Sequence, residues 1–257
     1  MQNKHLKNLK IGFSLEGYNN DILSWLEIAT TFYRNNNYPL KSVSYDINYN
    51  KIERKSLKTF YRIVKENPTF PVAKLYSFSV VMAENQNIPL TYHYGCSFDM
   101  PTKQLILFFD YSYGEENVFS FYKKILITLL KDCKVHGGYL FYQDRHYDYP
   151  LGGVKLNRNF YKENEHTWWN LMKLGNREDT LNKKNMYRHI YKQNILSKYH
   201  LEETFNGLSL TKWIELNNYG FIEKIGEENW IWTVPEEKLY EIQVIFYDKK
   251  LLLGVSE

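Results

Sequence analysis

The sequence predicts an α+β protein: a mixed, largely antiparallel sheet packed by amphipathic helices, with a smaller helical and hairpin part toward the C-terminus. Three observations carry this. Residues 75–113 hold three strand-like runs joined by short polar turns, which favours a meander of antiparallel neighbours. Next, Val118, Tyr122, Ile125, Leu126, Leu129, Leu130 and Cys133 recur at the helical period and form one apolar stripe. Upstream, residues 9–47 read as strand, helix, strand.

In order, a first strand spans 9–15. Ile22, Trp25, Leu26, Ala29, Phe32 and Tyr33 then share a helix face, ended by Asn35-Asn36-Asn37 and Pro39. A strand is expected at 42–47 and a second helix at about 52–66, stopped by Asn67-Pro68. Tyr76, Phe78 and Val80 alternate onto one face of the next strand, 75–82. Turns at 85–89 and 100–103 lead to strands at 91–98 and 104–113. Glu115 and Glu116 suit the positive end of the helix that follows, and Lys131 and Lys134 its negative end. A fourth strand of this segment opens on Gly137-Gly138.

The turn at 147–153, with Pro150, Gly152 and Gly153, divides the chain into an α+β sandwich (1–150) and a C-terminal part (151–257) packed onto it as one unit. That part is expected to hold short helices at 165–174, 183–192 and 209–217. A hairpin is expected at 221–225 and 229–234, then a helix from Pro235 to about 246 and a strand at 251–255.

Composition narrows the function classes. Apolar residues are 44% and charged residues 24% of the 257, ordinary for a globular chain that can bury a sizeable core. Aromatics reach 17%, with 23 tyrosines, which suit half-buried strand positions and also serve as interface anchors. A net charge of +4 falls short of a dedicated nucleic-acid binder. Cys96 and Cys133 read as small buried hydrophobes, not as a disulfide or metal framework. No run has the apolar length of a membrane span and the first residues lack a signal-peptide core, so the expected compartment is the cytoplasm.

Catalytic motifs are missing: no Gly-x-Ser-x-Gly, phosphate loop, dinucleotide glycine pattern or complete calcium loop occurs. No catalytic residue, metal or cofactor is therefore assigned. The densest polar cluster is Asp144-Arg145-His146-Tyr147-Asp148. Alternation puts Asp144, His146 and Asp148 on one side if the strand persists. A carboxylate beside an imidazole can orient a general base or hold a metal, with His136 as a further member, although such clusters are commonly solvated strand ends. The sharpest surface pattern is Lys51, Lys55, Lys58, Arg62 and Lys65, which on one continuous helix project as a narrow basic stripe. Such a stripe meets acidic proteins or phosphates, and is otherwise a solvated helix face.

The strand Gly137-Gly138-Tyr139-Leu140-Phe141-Tyr142 is followed by Asn194-Ile195-Leu196, His200-Leu201, Leu210-Thr211-Lys212-Trp213-Ile214 and Trp230-Ile231-Trp232-Thr233-Val234-Pro235. Together they resemble bacterial immunity-type proteins of polymorphic-toxin and secretion-system toxin pairs. The resemblance implies an α/β protein that neutralises a partner by occlusion and performs no chemistry. The expected function is thus a cytoplasmic, non-catalytic module that binds a protein partner, a toxin or a defence-system component. Tyr139, Tyr142, Asp144, Arg145, His146 and Asp148 would form the contact surface, helped by Lys51, Lys55, Lys58, Arg62 and Lys65. The alternatives are a nucleic-acid-associated regulatory or antiviral defence subunit using residues 51–65, and a hydrolase or metal-dependent enzyme around Asp144 and His146.

Overall fold

Alternation and helical periodicity resolve into the expected local elements over most of the chain. The computed structural model describes residues 9–16, 22–47, 51–66, 75–83, 92–99, 104–110, 113–131, 135–144 and 185–252. Within them the strands are β1 (Leu9–Glu16), β2 (Ser42–Ile47), β3 (Lys51–Ser56), β4 (Leu75–Ala83), β5 (Tyr92–Asp99), β6 (Gln104–Asp110), β7 (Gly137–Asp144), β8 (Gln193–Ser197), β9 (Thr204–Phe205), β10 (Leu208–Ser209), β11 (Phe221–Lys224) and β12 (Asn229–Thr233). The helices are α1 (Ile22–Asn35), α2 (Leu57–Glu66), α3 (Glu115–Leu129), α4 (Lys198–Leu201), α5 (Leu210–Leu216) and α6 (Leu239–Asp248).

Ten strands join one sheet in the order β11-β12-β8-β7-β1-β6-β5-β4-β2-β3. Each of its pairings is antiparallel. β6 and β7 run in the same direction, but β1 lies between them and α3 makes the crossover. The protein is therefore α+β, with the meander 75–110 forming one stretch of a larger sheet.

Both faces of this sheet are used, and the strand alternation decides which residue goes where. On one face Ile11, Phe13 and Leu15 of β1, Leu105, Leu107 and Phe109 of β6, and Val43 and Tyr45 of β2 form a core. It is closed by Tyr33 of α1, Phe60 of α2 and the Val118–Leu129 stripe of α3. The opposite face carries a second core further along the sheet. Ile195 and Ile231, paired in register, point to the first core, while their neighbours Leu196 and Trp232 point to the second. There Trp213 and Ile214 of α5 and Ile242 and Phe246 of α6 pack against them. β8 pairs with β7, so the C-terminal strands extend the same sheet. The boundary expected near residue 150 lies outside the described residues.

The structure corrects two local expectations. Residues 51–56 are not the start of a helix: they pair with β2 from Ser42↔Ser56 to Ile47↔Lys51 as an antiparallel hairpin. The helix starts at Leu57, because the Ser56 hydroxyl accepts the Thr59 backbone N–H at 3.1 Å and caps the first turn. Likewise residues 185–192 are irregular rather than helical, held by a parallel bridge between Tyr187 and Leu252. Expected elements at 165–174 and 253–255 lie outside the described residues. Strand β8, the short helix α4 and the small β9–β10 hairpin had no forecast.

Candidate functional site

Charge is distributed very unevenly along this chain. Seven cations and three acids fall between Lys41 and Glu66, a surplus of four, which equals the net charge of the entire protein. The remaining residues sum to zero, although 183–198 hold five cations and no acid. The surplus lies on β3 and α2, at the sheet end where β3 is the edge strand.

The single basic stripe expected from 51 to 65 is divided by the hairpin. Lys51 and Lys55 lie on β3, so a 100° helical advance does not relate them to the other three. Lys55 stands 3.8 Å from Glu53, and Glu53 also accepts the Tyr45 hydroxyl at 3.0 Å. Burial first, and then Glu53, push the Tyr45 phenol up to about 12. Lys58, Arg62 and Lys65 remain together on the exposed side of α2, spaced four and three residues apart. Among the described residues no salt bridge takes them up. Strand charges also suit β3 itself, since Lys and Arg on an edge strand oppose unwanted sheet extension.

Between α1 and α2 lies an open cleft of about 260 Å³. Glu27, Thr30, Thr31 and Arg34 line one wall because spacings of three, four and seven residues put them on one face of α1. Leu57 and Tyr61 of α2 line it from the other helix, together with Pro39 and Leu40. The Thr30 hydroxyl donates to the Glu27 carbonyl at 3.2 Å and lies 2.8 Å from the Tyr61 hydroxyl. Burial raises the Tyr61 phenol above its ordinary value, an effect the Thr30 bond partly offsets, so Tyr61 stays protonated at neutral pH. The cleft was not legible in the sequence, because it joins residues 27–34 to residues 57–61 across a hairpin.

The other expected site residues are scattered. Tyr139 is 2% exposed, so it offers no surface to a partner. It is buried because its ring stacks on Tyr191 at 4.2 Å and its hydroxyl accepts from Arg188 Nη1 at 2.7 Å. Tyr142 is half-buried against the first core. Asp144 is the last residue of β7, opposite Leu9 of β1. Arg145, His146 and Asp148 lie outside the described residues. His136 precedes β7 while Asp144 ends it, so eight extended residues, about 26 Å, separate them. His136 therefore does not belong to a site built on Asp144.

Among the described residues the buried histidine is His200, which the sequence singled out only as part of a resemblance. Its Nδ1 lies 3.0 Å from both the backbone nitrogen and the Oγ of Ser197. Such a pair resembles a nucleophile and its base, yet here it is the capping box of α4, and both residues are buried. Burial holds the imidazole down at about 4, against a hydrogen bond with the Met186 backbone that favours the charged ring. The thiol of Cys96, wholly buried in the first core, is pushed far up by the same desolvation. Among the described residues no three His, Cys, Asp or Glu side chains gather as a metal site, and no helix is long and apolar enough to cross a membrane.

Among the described residues the exposed aromatics sit far from the basic end. Tyr240, Val244 and Tyr247 recur on the outward face of α6, and Phe221 is exposed on β11, the opposite edge strand. Nine strand spacings separate β11 from β3, roughly 43 Å along the sheet.

No protein-family model and no curated protein matches the sequence. The fold is similar to that of a solved structure, the Pseudomonas aeruginosa T6SS protein PA0821. The TM-score is 0.51 at 10% identity, with 87% of this chain and 64% of that chain covered. This chain thus spans under two thirds of the length of that protein.

Proposed function

We propose that this chain is a non-catalytic protein-binding module of the immunity or antitoxin type, acting in the cytoplasm by occluding a partner from a secretion-system toxin pair or a related defence system. The observation that carries the reading is the grouping of Lys58, Arg62 and Lys65 on the exposed side of α2, at the sheet end that also holds an open cleft. Complementary charge speeds encounter and fixes orientation, which an inhibitor that must intercept its target requires. The likeness of fold to a type VI secretion protein supports the same setting.

The test is co-expression with the product of the adjacent gene, with growth and complex formation both measured. The expected outcome is a toxic product whose toxicity this chain relieves by forming a stoichiometric complex. Relief without a complex, or with covalent alteration of the toxin, overturns the reading.

A second reading, association with nucleic acid through α2, draws on the exposed trio Lys58, Arg62 and Lys65. It requires affinity that falls steeply with salt and is lost when the three become Glu. Against it, Phe60 of α2 is buried and Tyr61 is half-buried with its hydroxyl bonded to Thr30, so neither presents an open ring face in a row of cations for successive bases to stack on.

A further inference from the structure

We infer that the cleft between α1 and α2 is the anchor pocket of the partner interface, and that it receives one tyrosine or tryptophan side chain from an acidic segment of the partner protein. This deepens the protein-binding reading above and rests on it. Three features of the cleft select that occupant.

Size is the first. About 260 Å³ is below the roughly 300–1,000 Å³ of pockets that enclose drug-sized ligands, and it suits a single large side chain. Interface hot spots are commonly of this kind, an aromatic anchor seated in a pocket.

Lining chemistry is the second. Pro39, Leu40 and Leu57 present apolar surface to a ring. The Tyr61 hydroxyl spends one hydrogen-bonding position on Thr30, 2.8 Å away, and as a donor and acceptor retains capacity for a visitor. A phenol hydroxyl meets it as donor or acceptor and an indole N–H meets it as donor, whereas a phenylalanine leaves it unmade.

The third is the rim. Arg34 lines the cleft on α1. On α2, helical geometry sets Lys65 and Lys58 only about 40° and 60° round from Tyr61. Residues flanking the anchor on the partner thus meet cations from both helices, with Glu27 as the one acid among the lining residues. An acidic segment fits this field and a basic one is repelled.

The experiment uses the full chain and two fluorescein-labelled peptides of twelve residues, alternating Glu and Gly, with a single central Tyr in one and Ala in the other. Fluorescence anisotropy at low salt is expected to show the Tyr peptide binding about tenfold more tightly. Thr31→Trp fills the cleft from α1 and is expected to bring the two peptides within twofold of each other. Thr31→Phe serves the same purpose if the melting temperature of the first variant falls. Lys58→Glu with Arg62→Glu is expected to weaken both peptides alike. Equal binding of the two peptides by the wild-type chain, or a preference that survives filling, overturns the anchor pocket while leaving charge-directed protein binding intact. Failure of both peptides to bind, or binding indifferent to charge reversal, overturns both. Preference for a twenty-base-pair duplex over both peptides at equal ionic strength also overturns both, in favour of nucleic acid.

Discussion

His200 closes back on Ser197 at the head of α4, its Nδ1 3.0 Å from the Ser197 backbone nitrogen. The contact is only possible with a neutral ring nitrogen, because a protonated Nδ1 cannot accept. Since burial holds the folded-state imidazole at about 4, below its ordinary value of 6.5, the unfolded chain takes up this proton first as pH falls. The associated stability is fully present above pH 6.5 and is lost between pH 6.5 and 4. Urea unfolding at several pH values is expected to reveal a loss of about 3 kcal/mol across that window. His200→Gln removes this component, so the variant's stability curve is flatter there than the wild-type curve. Parallel curves would refute the assignment.

Gly12 lies opposite Phe141 in the β1–β7 register, and the ring covers it. A Cβ at position 12 would stand 2.2 Å from the Phe141 Cζ. Gly12→Ala is therefore expected to destabilise the fold by about 1–3 kcal/mol, as overpacked cores do. Adding Phe141→Leu should recover part of that loss, and a double-mutant cycle by denaturant unfolding measures the coupling.

Asn229 lies buried at the head of β12, and its amide donates to the carbonyls of Val135 at 3.3 Å and Leu196 at 3.2 Å. It ties the approach to β7 to β8 and β12. Asn229→Leu abandons both bonds and leaves buried acceptors, at an expected cost of about 1–3 kcal/mol. Hydrogen exchange of amides in β8 and β12 is expected to rise more than in β5 and β6, and a uniform rise would contradict the local role.

Ser56 divides strand from helix inside the basic segment. Ser56→Ala removes the acceptor for the Thr59 N–H and is expected to cost about 0.5–2 kcal/mol, measured by urea unfolding. Ser56→Asp retains an acceptor and should restore the stability. If both variants lose equally, the cap is not what starts α2.

Much of this architecture was legible in sequence because its signals are local. The α3 stripe from Val118 to Leu129 and the alternation of 75–110 needed only neighbours a few residues apart. The forecast failed at residues 51–56, where charged residues spaced like a helix face proved to pair with β2. Lys, Glu and Arg favour helices, and a hairpin partner overrode that preference. The Ser56-x-x-Thr59 cap was present in the sequence and marked the true start. Of the proposed contact surface, the cations were legible as residues but their grouping was not. Tyr139 read as an exposed strand aromatic until Tyr191 and Arg188, about fifty positions away, covered it.

The sequence by itself determined the fold class, the central elements and the balance of charge, since periodicity and composition need no knowledge of distant contacts. Tertiary structure alone decided that β1 sits between β6 and β7, that α1 and α2 enclose a cleft, and that Lys58, Arg62 and Lys65 share the exposed side of α2 apart from Lys51 and Lys55. Pairing and packing between distant segments depend on which surfaces complement each other in space, and no local pattern encodes that choice.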